Sequence, residues 1–84
     1  MLIDLVLAGD GAYWRKRVEL SATPPRGETL VLVTGPEVVG VVVGCATPVD
    51  GDGTVASVLL RASTSLARPE PRDGLRREGW RPLL

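Results

Sequence analysis

The run Val38-Val39-Gly40-Val41-Val42-Val43-Gly44-Cys45-Ala46 restricts the fold of this chain more than any other feature. Its valines lose χ1 freedom in a helix, and each glycine adds about 1 kcal/mol of helix cost relative to alanine. The run therefore reads as a β-strand. Both of its faces are apolar, so both need cover. Alternation sends Val39, Val41, Val43 and Cys45 to one side, and Val38, Gly40, Val42, Gly44 and Ala46 to the other. The all-valine side is expected to face the interior, with Cys45 as a small buried hydrophobe. The other side then offers a shallow groove over Gly40 and Gly44. Three arrangements would account for the glycines: a bulge or bend that relieves crowding, a C-terminal segment folded back with Trp80 or Leu75 over the gap, or a second copy of the chain as cover.

Glycine and proline cut the rest of the first two-thirds into short extended pieces. Residues 2–8 alternate imperfectly, and Gly9-Asp10-Gly11 supplies a turn that tolerates positive φ. In residues 13–21, Trp14, Lys16, Val18 and Leu20 share one face, while Tyr13, Arg15, Arg17, Glu19 and Ser21 form a wet one. These two pieces read as a hairpin. A loop at residues 23–27 follows, since consecutive prolines cannot donate to a sheet ladder. Residues 28–33 form a third strand stopped by Gly35-Pro36, residues 37–46 the fourth, and residues 54–62 the fifth. The expected architecture is all-β: a small five-stranded barrel or coiled antiparallel sheet spanning residues 1–62.

Residues 63–84 have a different character. Prolines at 69, 71 and 82 and a surplus of arginine mark an Arg/Pro-rich tail. Asp73 is the expected N-cap of one short helical turn through Glu78, with Gly79 as its stop. Such a turn is too short to stand alone in water, so Leu75, Trp80, Leu83 and Leu84 must dock on something.

The run Pro24-Pro25-Arg26-Gly27-Glu28-Thr29-Leu30 resembles a loop–strand junction of SH3-like small barrels, in which a Pro- and Gly-bearing loop precedes an acidic residue and an apolar strand. The resemblance covers those residues and the general layout. It implies an SH3-like barrel and no particular activity.

Composition excludes several chemistries. Histidine is absent and cysteine occurs once, so there is no Ser-His or Cys-His catalysis, no intrachain disulfide and no thiol- or imidazole-based zinc site. Asp50-Gly51-Asp52-Gly53 begins like a calcium loop, but the twelfth position, where an EF-hand places glutamate, is Arg61. The alternation is that of a turn. No run is long and apolar enough to cross a membrane, and the apolar start has no basic flank of the kind a secretory signal carries. The expected protein is cytoplasmic, without metal or cofactor, and not an enzyme.

Two functional classes remain. The first is a non-catalytic protein-interaction module, or a small structural or accessory subunit of a bacterial or phage system, binding a protein partner or a second copy of itself. Its expected contact surface is Tyr13, Arg15, Arg17, Gly40, Gly44 and Trp80. The second is a nucleic-acid-binding barrel using Trp14, Arg15, Lys16 and Arg17 with the tail residues Arg76 and Arg77. Against the second stand a net charge of zero and an alternation that splits the basic run between two faces.

Overall fold

The structure, a computed structural model, describes residues 2–46 and 56–83; the calcium-like Asp50-Gly51-Asp52-Gly53 turn lies outside them. Strands β1 (Leu2–Gly9) and β2 (Ala12–Glu19) form an antiparallel hairpin. Only Asp10 and Gly11 connect them, both at positive φ (50° and 75°), and this turn matches the twist of the strands it joins. Strands β3 (Thr29–Val33) and β4 (Val38–Ala46) make a second antiparallel hairpin. Strand β5 (Ala56–Ala62) pairs antiparallel with β4 and parallel with β1. A helix, α1 (Pro69–Arg77), and a two-residue strand, β6 (Arg81–Pro82), complete the chain. The strand order is β3-β4-β5-β1-β2-β6, in a sheet curled into a half-barrel. Among the described residues no helix is long and apolar enough to cross a membrane.

The all-β class stands, with two departures from the expected sheet. Six strands pair rather than five, because Arg81 and Pro82 add to β2 opposite Arg15 and Trp14. Proline is tolerated at that position because β6 is an edge strand. The β1–β5 pair is parallel. Parallel neighbours need a long crossover, and here β2, β3 and β4 all lie within it.

Period-two patterning fixes the inner face of the half-barrel. Ile3, Leu5 and Leu7 from β1, Trp14 from β2, and Ala56, Val58 and Leu60 from β5 are all buried. In β4 the expected orientation is reversed. Val38, Gly40 and Val42 are buried, whereas Val39, Val41 and Val43 lie half-buried on the outer face and Cys45 is exposed. The reason is the crowding around Gly40. A Cβ there would stand 3.2 Å from Leu7 Cδ1, 3.3 Å from Leu32 Cδ1 and 3.4 Å from Leu60 Cβ. Glycine at this position admits a close approach inside the sheet. It does not open a groove on the outside.

The two glycines also do not share a face. The β4–β5 register shifts between Val42 and Gly44, so Val42 stands opposite Leu60 and Gly44 opposite Leu59. A Cβ on Gly44 would have no neighbour within 4 Å among the described residues. Of the three arrangements considered, the bulge is present at this point of β4. Leucines, not Trp80, fill the space above Gly40.

The tail nonetheless docks on its own sheet. Leu66, Leu75 and Trp80 belong to the same buried cluster as the strand residues. The helix starts earlier than expected: Arg68 is its N-cap, Pro69 opens the first turn, and Asp73 lies within the helix. Prolines fit that turn because its N–H groups have no intrahelical acceptor in any case. Gly79 does end the helix. At φ 94° it donates to the Arg76 carbonyl, while Trp80 N donates to the Leu75 carbonyl at 2.9 Å. This paired closure brings Trp80 back toward Leu75, and both side chains are buried.

One contact fastens the connection between sheet and helix. The Asp10 carboxylate at the hairpin tip accepts hydrogen bonds from the Leu66 N–H and the Ser65 hydroxyl. Asp10→Ala is expected to cost about 1–2 kcal/mol, from the lost bonds and from forcing alanine into the left-handed region. Urea unfolding against Asp10→Asn, which retains an acceptor and tolerates that backbone, checks it.

Candidate interaction cleft

Curling leaves the half-barrel open along one side. The mouth lies between the inner faces of β2 and β3, with the connecting loop closing one end and Trp80 at the other. It encloses about 560 Å³. From β2 come Lys16, Val18 and Leu20; from β3 come Leu30, Val31 and Leu32. Pro24 and Pro25 line the loop end, as their fixed backbone holds the chain across the gap. Leu5 and Trp80 belong to the buried core and also line the cleft. Lys16 and Glu28 are the charged residues of this lining.

A second depression adjoins the first and shares Lys16. It runs between β2 and the C-terminal strand, encloses about 470 Å³, and is lined by Arg15, Arg17, Arg81 and Gly79 among others. On the outer face Asp4 grips two of these cations. Arg17 Nε donates to Asp4 Oδ1 at 2.9 Å, and an Arg15 Nη donates to Oδ2 at 2.9 Å. This clamp lowers the Asp4 carboxyl below its ordinary value, chiefly through the Arg17 hydrogen bond, with burial opposing and Arg15 assisting. It also raises the Arg17 guanidinium. A carboxylate whose folded pKa is depressed stabilises above its unfolded value of about 3.9, and that contribution is lost as pH falls through the folded value. Wild type is therefore expected to lose more of its melting temperature than Asp4→Asn between pH 5 and about pH 2, with the gap shrinking in high salt. Equal losses would show that the clamp does not stabilise.

The sequence-derived surface is dispersed over this framework. Tyr13, Arg15 and Arg17 are exposed on the outer face of β2. Gly40 is buried, Gly44 lies beside an outer apolar depression with Val6 and Leu59, and Trp80 lines the cleft. These residues do not form one surface. The alternative set is also divided. Trp14 is 2% exposed, and Arg76 lies over its ring at 5.2 Å from the centroid. Arg76 also approaches Asp73 at 3.6 Å. Trp14 Nε1 is buried with no hydrogen-bond partner among the described residues.

Sequence reasoning missed the cleft itself. Val18 and Leu20 were legible as one face of an alternating strand, and Leu30 and Leu32 only as part of an apolar one; their use as facing walls depends on how far the sheet curls. Arg81 was counted only as a tail charge, since a two-residue strand has no periodicity. Among the described residues no group of three His, Cys, Asp or Glu side chains is placed to hold a metal ion. Compared with known proteins, the chain matches no family model, no curated protein and no solved structure.

Proposed function

We propose that this chain is a non-catalytic protein-interaction module whose contact surface is the mouth of the half-barrel. The observation that carries this reading is the cleft of about 560 Å³, walled by Val18, Leu20, Leu30, Leu32 and Trp80 and flanked by an exposed edge strand. An apolar recess of that size with few polar groups suits binding, and edge strands accept added strands. Lys16 and Glu28, the two charged residues of the lining, form no ion pair with each other.

Nucleic-acid binding has weaker support. Trp14 is buried beneath Arg76 and presents no free ring for a base, and Asp4 already engages Arg15 and Arg17. A photoreactive residue at Leu30, compared with one at Arg72 on the helix, separates the readings in the native host. A discrete protein adduct from position 30 and none from position 72 is expected. Matching adducts from both positions, or cross-links to nucleic acid alone, would overturn the proposal.

A further inference from the structure

The chemistry of the partner can be read from the two ends of the mouth. Among the described residues β3 is the last strand of the sheet, so one of its edges carries backbone N–H and C=O groups with no described strand beside them. Val31 is 56% exposed, and it lines the cleft together with Leu30 and Leu32. The recess thus takes in the edge of β3 as well as its inner face. At the Trp80 end the walls change from apolar to cationic. Lys16 borders both the cleft and the basic depression, its Cε 3.9 Å from where a Gly79 Cβ would stand. Arg81 stands directly opposite Arg15 in the sheet, a like-charge pair that repels. Asp4 pairs with both Arg15 and Arg17, whereas neither Lys16 nor Arg81 has an ion-pair partner among the described residues.

We propose that the mouth takes an extended apolar segment of a partner protein as an added strand beside β3, with acidic residues of that segment seated on Lys16 and Arg81. This deepens the interaction-module reading and rests on it. Backbone pairing with β3 supplies affinity, alternate apolar side chains enter the recess, and the acidic end selects the partner. A second copy of the chain fits less well. In a two-fold arrangement each copy would present the same patch, whose two linings hold Glu28 as their single acid among the described residues and so offer no acidic run to Lys16 and Arg81.

The test uses the full chain and synthetic peptides in which Val and Thr alternate, followed by a run of Glu or a run of Lys. Tryptophan emission follows binding, because Trp80 lines the cleft. The Glu-ended peptide is expected to bind at least about tenfold tighter than the Lys-ended one, and Lys16→Glu to remove most of that preference, because with Arg81 it leaves no net charge between the two positions. Methylating alternate backbone nitrogens of the Glu-ended peptide is expected to weaken it at least about tenfold, since strand addition needs those donors. Arg81→Glu, on the exposed edge, provides the same charge test if Lys16→Glu is poorly folded. Equal binding of both peptides, indifference to methylation, or no saturable change with either would each overturn the inference. So would a mass in light scattering that doubles with concentration while peptides have no effect. The module reading would survive any of these, provided the position-30 adduct still forms.

Discussion

Trp80→Ala is expected to destabilise the protein by about 3–5 kcal/mol, the usual range for removing a buried aromatic. A domain of 84 residues has only about 4–13 kcal/mol of total stability, so the variant stands at the edge of unfolding. The size of the effect follows from position. Trp80 is 2% exposed, belongs to the buried cluster that joins sheet and tail, and borders the mouth between β2 and β3. Its loss would hollow the core and enlarge the cleft. Equilibrium urea unfolding measures it, with Leu83→Ala as the control, because Leu83 is 46% exposed and its truncation should change stability by under about 0.5 kcal/mol. Removing all residues after Ala67 should act in the same direction and more strongly, since Leu75 and Trp80 leave together. A cooperative transition of unchanged midpoint in either variant would mean that the tail is not part of the core.

The second large effect separates two glycines that look alike in sequence. Gly40→Val is expected to cost at least about 1–3 kcal/mol, the range for overpacking a filled core. Even a single added carbon would meet Leu7, Leu32 and Leu60 at 3.2, 3.3 and 3.4 Å, and valine adds two more. Gly44→Val should be neutral or stabilising by up to about 1 kcal/mol, because the position is open and a β-branched residue suits a strand. Melting temperatures of the two variants suffice. Equal destabilisation would contradict the bulge that puts these glycines in different surroundings.

Much of this architecture was legible in the chain. The Asp10-Gly11 turn, the inward set Trp14, Lys16 and Val18, the strand character of residues 38–46, and Gly79 as a helix stop all follow from local rules of φ, period and side-chain shape. Local rules failed where the choice depended on something distant. The helix was expected to begin at Asp73, but it begins at Pro69, a turn earlier, where Pro71, Gly74 and Leu75 are buried. The reversed faces of β4 had the same origin. Both faces are apolar, so hydrophobicity could not rank them, and the side holding Gly40 went inward because only it could approach Leu7 and Leu60 closely.

The candidate site lay further beyond reach of the sequence than the fold. Arg15 and Arg17 are recognisably surface residues, but their engagement by Asp4 depends on the β1–β2 register that sets Asp4 beside Arg17. The cleft depends on more still: a parallel β1–β5 pair, a bulge in β4 and the angle at which the tail returns.

What the amino-acid order determined alone was the local conformation of each piece, since φ preferences, period-two alternation and glycine stops act over a few neighbours. Only the tertiary structure decided which apolar face turned inward and where the sheet stayed open. Those outcomes are set by volume shared among residues far apart in the chain, and no short window of sequence contains both sides of that contact.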